Sequence, residues 1–114
     1  MSVEKFLKSA SKTISKKLEV KEIDIENEFC KFAKSKSCLP IKLVLLMKRG
    51  FPDRTVLCPG ARIMFIEFKR LGKTSSALQV KWRKTLESFG FQYHVCDEYG
   101  QAERYLEEFL ADTL

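Results

Sequence analysis

From Val3 to Leu18, apolar residues at Val3, Phe6, Leu7, Ala10, Ile14 and Leu18 recur at spacings of three and four, which predicts one stripe of a helix. Lys5, Lys8, Lys12, Lys16 and Lys17 fall outside that stripe and suit a phosphate backbone, a solvated face or an oligomer contact equally well. A second helix is predicted from about Lys21 to Lys36. Ile25, Phe29, Phe32 and Ala33 share its inner side, and Glu22, Asp24 and Glu26 place negative charge in its first turns, where the helix dipole favours it. It ends before Pro40. The apolar run Ile41 to Met47 reads as a first strand leading to the polar turn Lys48-Arg49-Gly50.

Thr55 to Cys58 and Arg62 to Phe68 are strand-like, and Pro59-Gly60 between them suits a two-residue hairpin because glycine tolerates positive φ. Ser75 or Ser76 can cap a helix reaching about Phe89, with Leu78, Trp82, Leu86 and Phe89 on one stripe and Gly90 as its stop. Phe91 to Cys96 makes another strand. Gln101 to Leu114 makes a last helix with Ala102, Tyr105, Leu106, Phe109 and Leu110 as its apolar side. The order of helix, helix, three strands, helix, strand, helix predicts an α/β fold. Its sheet is mixed: the hairpin is antiparallel and the strand-helix-strand step favours a parallel pairing.

At 114 residues the chain suits one compact domain over 21–114, preceded by a basic amphipathic helix over 1–20. No apolar run approaches the roughly 20 residues that span a bilayer, and Met1 to Lys5 lacks a signal-peptide stretch, so no membrane association and an intracellular setting are expected. Cys30, Cys38, Cys58 and Cys96 include no Cys-x-x-Cys pair and the chain has one histidine, His94, which argues against a zinc site. Buried reduced thiols are the expectation over a disulfide framework. The excess of 21 Lys and Arg over 15 Asp and Glu, a formal net charge of +6, favours an anionic partner such as nucleic acid, although solvated lysine faces give the same sum.

Chemistry concentrates between Gly50 and Lys69. If the hairpin turns at Pro59-Gly60, Asp53 and Glu67 lie about seven residues from the turn on neighbouring strands, almost opposite each other. Alternation puts Glu67 and Lys69 on one face and Ile66 and Phe68 on the other. Two carboxylates about 4 Å apart repel by roughly 4 kcal/mol at an effective dielectric of 20, so such a pair calls for a cation or a shared proton. Mg²⁺ suits the position because it binds through one or two carboxylates while keeping waters. Solvent-facing sheets also carry cross-strand Glu and Lys, and Gly-x-Pro-Asp also occurs in ordinary turns. Arg49, Arg54, Arg62, Lys48, Arg70 and Lys73 cluster near this region in sequence, as phosphate contacts or as solvated strand ends.

The stretch Gly50-Phe51-Pro52-Asp53-Arg54, then Pro59-Gly60, Phe65-Ile66-Glu67-Phe68-Lys69, Leu78-Gln79, Trp82 and Gly90-Phe91, resembles the PD-(D/E)XK nucleases, and within them the compact VRR-NUC domain. The resemblance covers about residues 22 to 97. It implies a restriction-endonuclease-like core in which Asp53 and Glu67 are metal ligands, the Phe68 carbonyl a third, and Lys69 the catalytic lysine. Glu26 looks like the family's first-helix acid, which the resemblance makes a further catalytic residue and metal ligand, with Glu22 and Glu28 close by. Gln79 matches the glutamine of the following helix, in a substrate- or lysine-positioning role or as a polar surface residue. Ser and Ala around Ser75 and Ser76 depart from the family's frequent Ser-Pro. The resemblance implies a Mg²⁺- or Mn²⁺-dependent endonuclease acting on branched or otherwise structured DNA. A homodimer through the first helix is expected, because two strands cut symmetrically need two copies. A catalytically silent nucleic-acid-binding module is the rival reading.

Overall fold

The structure, a computed structural model, describes residues 22–46 and 48–112. The helix expected over Val3 to Leu18, its basic face and the dimer contact assigned to it lie outside these residues. The elements are α1 (22–35), β1 (Leu39–Ile41), β2 (Arg54–Cys58), β3 (Arg62–Phe68), α2 (Ala77–Ser88), β4 (Gln92–Cys96) and α3 (Gln101–Ala111). The four strands form one mixed sheet in the order β1-β2-β3-β4, antiparallel across the first two pairs and parallel between β3 and β4.

Alternation along the strands builds a layer on each side of the sheet. Val56, Cys58, Met64, Ile66 and Phe68 pack with Ile25, Phe29 and Ala33 of α1 and Ala102 and Leu106 of α3. Phe65 and Tyr93 face the other way onto Leu86 of α2, with Phe51, Trp82 and Phe91 around them. Fully burying a residue such as Ile25 or Phe29 contributes about 1.5–3 kcal/mol, so these apolar stripes fix which face each helix turns inward. Helix α1 ends in a paired-hydrogen-bond stop: Ser37 sits at φ 62°, Cys38 N–H donates to the Ala33 carbonyl at 2.9 Å and Ser37 N–H to that of Lys34 at 3.1 Å. Helix α2 opens on a capping box between Ser76 and Gln79.

The first strand differs from expectation. It covers Leu39–Ile41 rather than Ile41 to Met47, because β2 begins at Arg54 and leaves only that one residue beyond the Ile41↔Thr55 pair. Residues 42–46 carry no strand, and Val44 and Leu46 are 84% and 90% exposed. The continuous apolar residues from Leu43 onward lack the two-residue period that marks a half-buried strand. All four cysteines are free thiols, and burial pushes Cys58 and Cys96 up to about 12, so they act as packing groups. Among the described residues no helix is long and apolar enough to cross a membrane.

Candidate active site

The hairpin pairs Cys58 with Arg62 and continues to Arg54↔Ile66, so one further step along the ladder brings Asp53 across from Glu67. Arg54 turns to α1, where its Nε donates to Glu26 Oε2 at 2.7 Å, and Ile66 lies in the core on that same side. Alternation therefore sends Asp53 and Glu67 to the α2 side together.

Glu67 is 1% exposed, and both of its oxygens are held. Tyr93 Oη donates to Oε1 at 2.7 Å, and Ser75 Oγ donates to Oε2 at 2.6 Å. Lys69 Nζ stands 3.7 Å from Oε2 and donates to Gln79 Oε1 at 2.6 Å. That same amide oxygen accepts from Ser76 N–H at 2.8 Å, so the capping box that starts α2 also fixes the acceptor for the lysine. Of the two roles open to Gln79 from sequence, the geometry fits lysine positioning.

Asp53 Oδ2 accepts from Phe68 N–H at 2.7 Å, which ties the loop before β2 to the end of β3. Burial raises the Asp53 carboxyl above its ordinary value, the Phe68 hydrogen bond opposes that shift, and the charges of Glu26, Glu22 and Glu67 add to it. A desolvated carboxylate that feels the charge of other acids is an arrangement that a cation relieves. Among the described residues no three His, Cys, Asp or Glu side chains close around one point as a full ligand set. Two carboxylates and a nearby backbone carbonyl suit a hard ion that keeps much of its water, as Mg²⁺ does, and do not suit a closed zinc cage. Asp53, Glu67 and the Phe68 carbonyl are the groups that would hold it.

The remaining sequence candidates separate. Glu26 is paired with Arg54 and lies 3.9 Å from Lys42 Nζ, so it acts on Asp53 through charge rather than as an unengaged carboxylate. Arg54 also donates to the Pro40 carbonyl at 3.1 Å, which turns its guanidinium toward α1 and β1. Arg62 sits at the far end of β3 and donates to the Phe109 carbonyl at 2.7 Å and the Asp112 carbonyl at 3.2 Å, a cation closing a helix C-terminus away from the acids. Lys48 and Arg49 border a groove along α2, and Arg70 and Lys73 form a turn just after β3. His94 stacks on Tyr105 with ring centroids 4.0 Å apart, a packing role.

The chain is 30% identical over 78 residues to "Putative nuclease p44" of Acyrthosiphon pisum secondary endosymbiont phage 1, a match spanning 68% of this chain and 84% of that protein. A solved VRR_NUC domain has the same fold, with a TM-score of 0.73 and 21% identity over 78% of this chain and 97% of that one. This chain belongs to the VRR-NUC nuclease family. No family model matches the chain.

Within this VRR-NUC fold, sequence reasoning missed Tyr93 as a partner of Glu67 and gave Ser75 only a capping role. Burial and the Glu67 hydrogen bond both raise the Tyr93 phenol, so it stays a donor throughout the working pH range. Where a carboxylate holds a metal, a hydrogen bond that orients it is worth about 10- to 100-fold in metal affinity or activity, and Glu67 would gain such an orientation from Tyr93. Tyr93→Phe should therefore raise the Mn²⁺ concentration for half-maximal cleavage by about that factor. The same metal series run on Tyr105→Phe, whose ring packs on His94 away from Glu67, should give the wild-type curve.

Proposed function

We propose that this VRR-NUC domain is a Mg²⁺- or Mn²⁺-dependent endonuclease that hydrolyses phosphodiester bonds in branched or otherwise structured duplex DNA, acting inside the cell as a homodimer. The geometry that supports the reading is the hairpin register, which one step beyond Arg54↔Ile66 sets Asp53 across from Glu67, together with Lys69, 3.7 Å from Glu67 and held by Gln79. The name of the phage protein supports the nuclease class, and the preference for branched DNA follows the resemblance to stand-alone domains of this size.

A bound Mg²⁺ would supply Lewis-acid polarisation of the phosphate and a water of lowered pKa. The protein's own groups do the rest. A water oxygen would form the new bond to phosphorus as the bond to the leaving sugar oxygen breaks, the water's proton passing to solvent and the leaving oxygen taking a proton from solvent, with Lys69 orienting that water or neutralising charge on the phosphate oxygens. Gln79 holds the ammonium against thermal wandering, and Tyr93 and Ser75 do the same for the Glu67 carboxylate. Lys48, Arg49, Arg70 and Lys73 are proposed phosphate contacts. One site per small domain makes paired cutting of two strands a task for two copies.

A panel of labelled four-way junctions, flaps and blunt duplexes, incubated with Mg²⁺, Mn²⁺ or chelator, tests this. The expected result is cleavage with either metal, none with chelator, and faster cutting of branched substrates. Binding without cutting on every substrate and metal would establish the non-catalytic module instead.

A further inference from the structure

A groove of about 1000 Å³ opens between Val44, Leu45, Lys48 and Arg49 on one side and α2 on the other. Val44, Leu78 and Trp82 give it apolar walls, while Lys48, Arg49 and Lys81 give it charge. No carboxylate lines it, and among the described residues none of these three cations is paired with one. Trp82 is fixed from behind: its Nε1–H donates to the Arg49 carbonyl at 2.9 Å and its ring meets Phe51 edge-on at 5.0 Å. Lys48 Nζ lies 5.8 Å from the indole centroid.

The groove is tied to the candidate active site through the chain, and Gly50, between Arg49 and the Asp53 loop, packs against the backbone of Leu78 and Gln79. Leu78 on its wall precedes Gln79, which holds Lys69, and Arg49 on its rim is four residues before Asp53. An apolar, aromatic floor beneath unpaired cations matches a ligand that is anionic along one edge and flat along the other. A nucleotide has both properties, but a continuous duplex hides its base faces in the stack, so only an unpaired strand offers them together. The chain's own first residues are a poor occupant, because Lys5, Lys8, Lys12, Lys16 and Lys17 give them the sign of the groove.

We propose that this groove is a subsite for one or two unstacked nucleotides of an unpaired DNA strand, bound next to the scissile position with bases against Trp82 and Val44 and phosphates on Lys48, Arg49 and Lys81. This deepens the nuclease reading and rests on it, in that the unpaired strand belongs to the DNA that Asp53 and Glu67 cut. It makes the unpaired arm at a branch point, rather than the duplex, the feature selected.

Trp82 is the chain's single tryptophan, so its emission reports the groove directly. The full chain in chelator is titrated with a short oligo(dT) and with a blunt hairpin duplex of equal phosphate content. Oligo(dT) should quench the emission and the duplex should not. Three phosphate contacts on a single strand give a slope of log affinity on log salt near about −2, which Lys81→Glu should make shallower by about 0.7 or more. Lys81→Glu and Val44→Asp, both at exposed positions, should each weaken oligo(dT) binding about tenfold while melting as the wild type does. Equal quenching by the duplex, wild-type affinity in both variants, or a Val44→Asp effect confined to breaking a dimer would each overturn the subsite. Cleavage is scored separately. Cutting that persists without quenching refutes the groove alone, whereas quenching without cutting by the wild type in either metal refutes the nuclease reading and leaves the groove's affinity standing.

Discussion

Asp53→Asn is expected to cut metal-dependent cleavage by about 10³-fold or more and, in metal-free protein at neutral pH, to raise the melting temperature. The amide keeps an oxygen for Phe68 N–H but removes the charge that burial and three neighbouring carboxylates disfavour. The sign follows from linkage. Because the Asp53 value is raised in the folded chain, its contribution to stability is fully present below the ordinary 3.8 and is lost as pH rises through the raised value. Asparagine has no such loss, so the gap between variant and wild type should widen from about pH 4 toward neutrality in thermal melts run with chelator. Adding Mn²⁺ should then stabilise the wild type by mass action and leave Asp53→Asn unmoved. Lys69→Met should separate the two roles, losing cleavage while keeping the Mn²⁺-induced shift. Asp53→Asn melting below wild type in chelator at pH 7 would show that the carboxylate is held for stability and not for a cation.

The second large effect is expected at Gly50, through the backbone. At φ +85° a Cβ there would meet the Leu78 carbonyl carbon at 2.7 Å, Leu78 Cβ at 2.8 Å and Gln79 N at 2.9 Å, all groups that cannot swing away. Gly50→Ala should cost about 2–5 kcal/mol from positive-φ strain and overpacking combined. For a domain of this size that lowers the melting temperature by roughly 10–30 °C. Below its melt the variant should still cleave poorly, because relieving the clash moves the Asp53 loop away from Gln79 and hence from Lys69. Gly72→Ala is the comparison: its φ is +83°, but nothing lies within 4 Å of the new Cβ, so only the smaller conformational cost of about 1 kcal/mol remains. Equal losses at the two glycines would show that the approach to Leu78 carries no energy.

Local rules made much of this legible. Pro59-Gly60 marked the hairpin, but the connection is three residues rather than two, Pro59-Gly60-Ala61 with Ala61 at φ 58°, and the resulting Cys58↔Arg62 pairing sets Asp53 across from Glu67, with Lys69 on the same side by the two-residue period. Antiparallel neighbours joined by a tight turn can be counted across in a way that parallel ones cannot. Tyr93 reaches Glu67 through the β3–β4 pairing, whose register depends on how α2 crosses the sheet, and nothing in the intervening residues encodes that offset. Run-on apolarity misled over Ile41 to Met47, since residues such as Val44 and Leu45 suit a buried strand or a groove wall and only the extent of β2 decides between them. Charge was the least readable feature. Arg54 and Arg62 looked alike in sequence, yet strand alternation turns one onto Glu26 and position at the hairpin end turns the other onto the last turn of α3.

Crystals of the wild-type protein soaked in Mn²⁺ and measured at a wavelength where manganese scatters anomalously test the shared-cation site most directly. The expected anomalous peak lies between the Asp53 and Glu67 carboxylates, within about 2.0–2.6 Å of an oxygen from each, and is absent in Asp53→Asn crystals. A peak that touches only one of the two acids, or that persists in the variant, would contradict a catalytic ion held jointly by these strands.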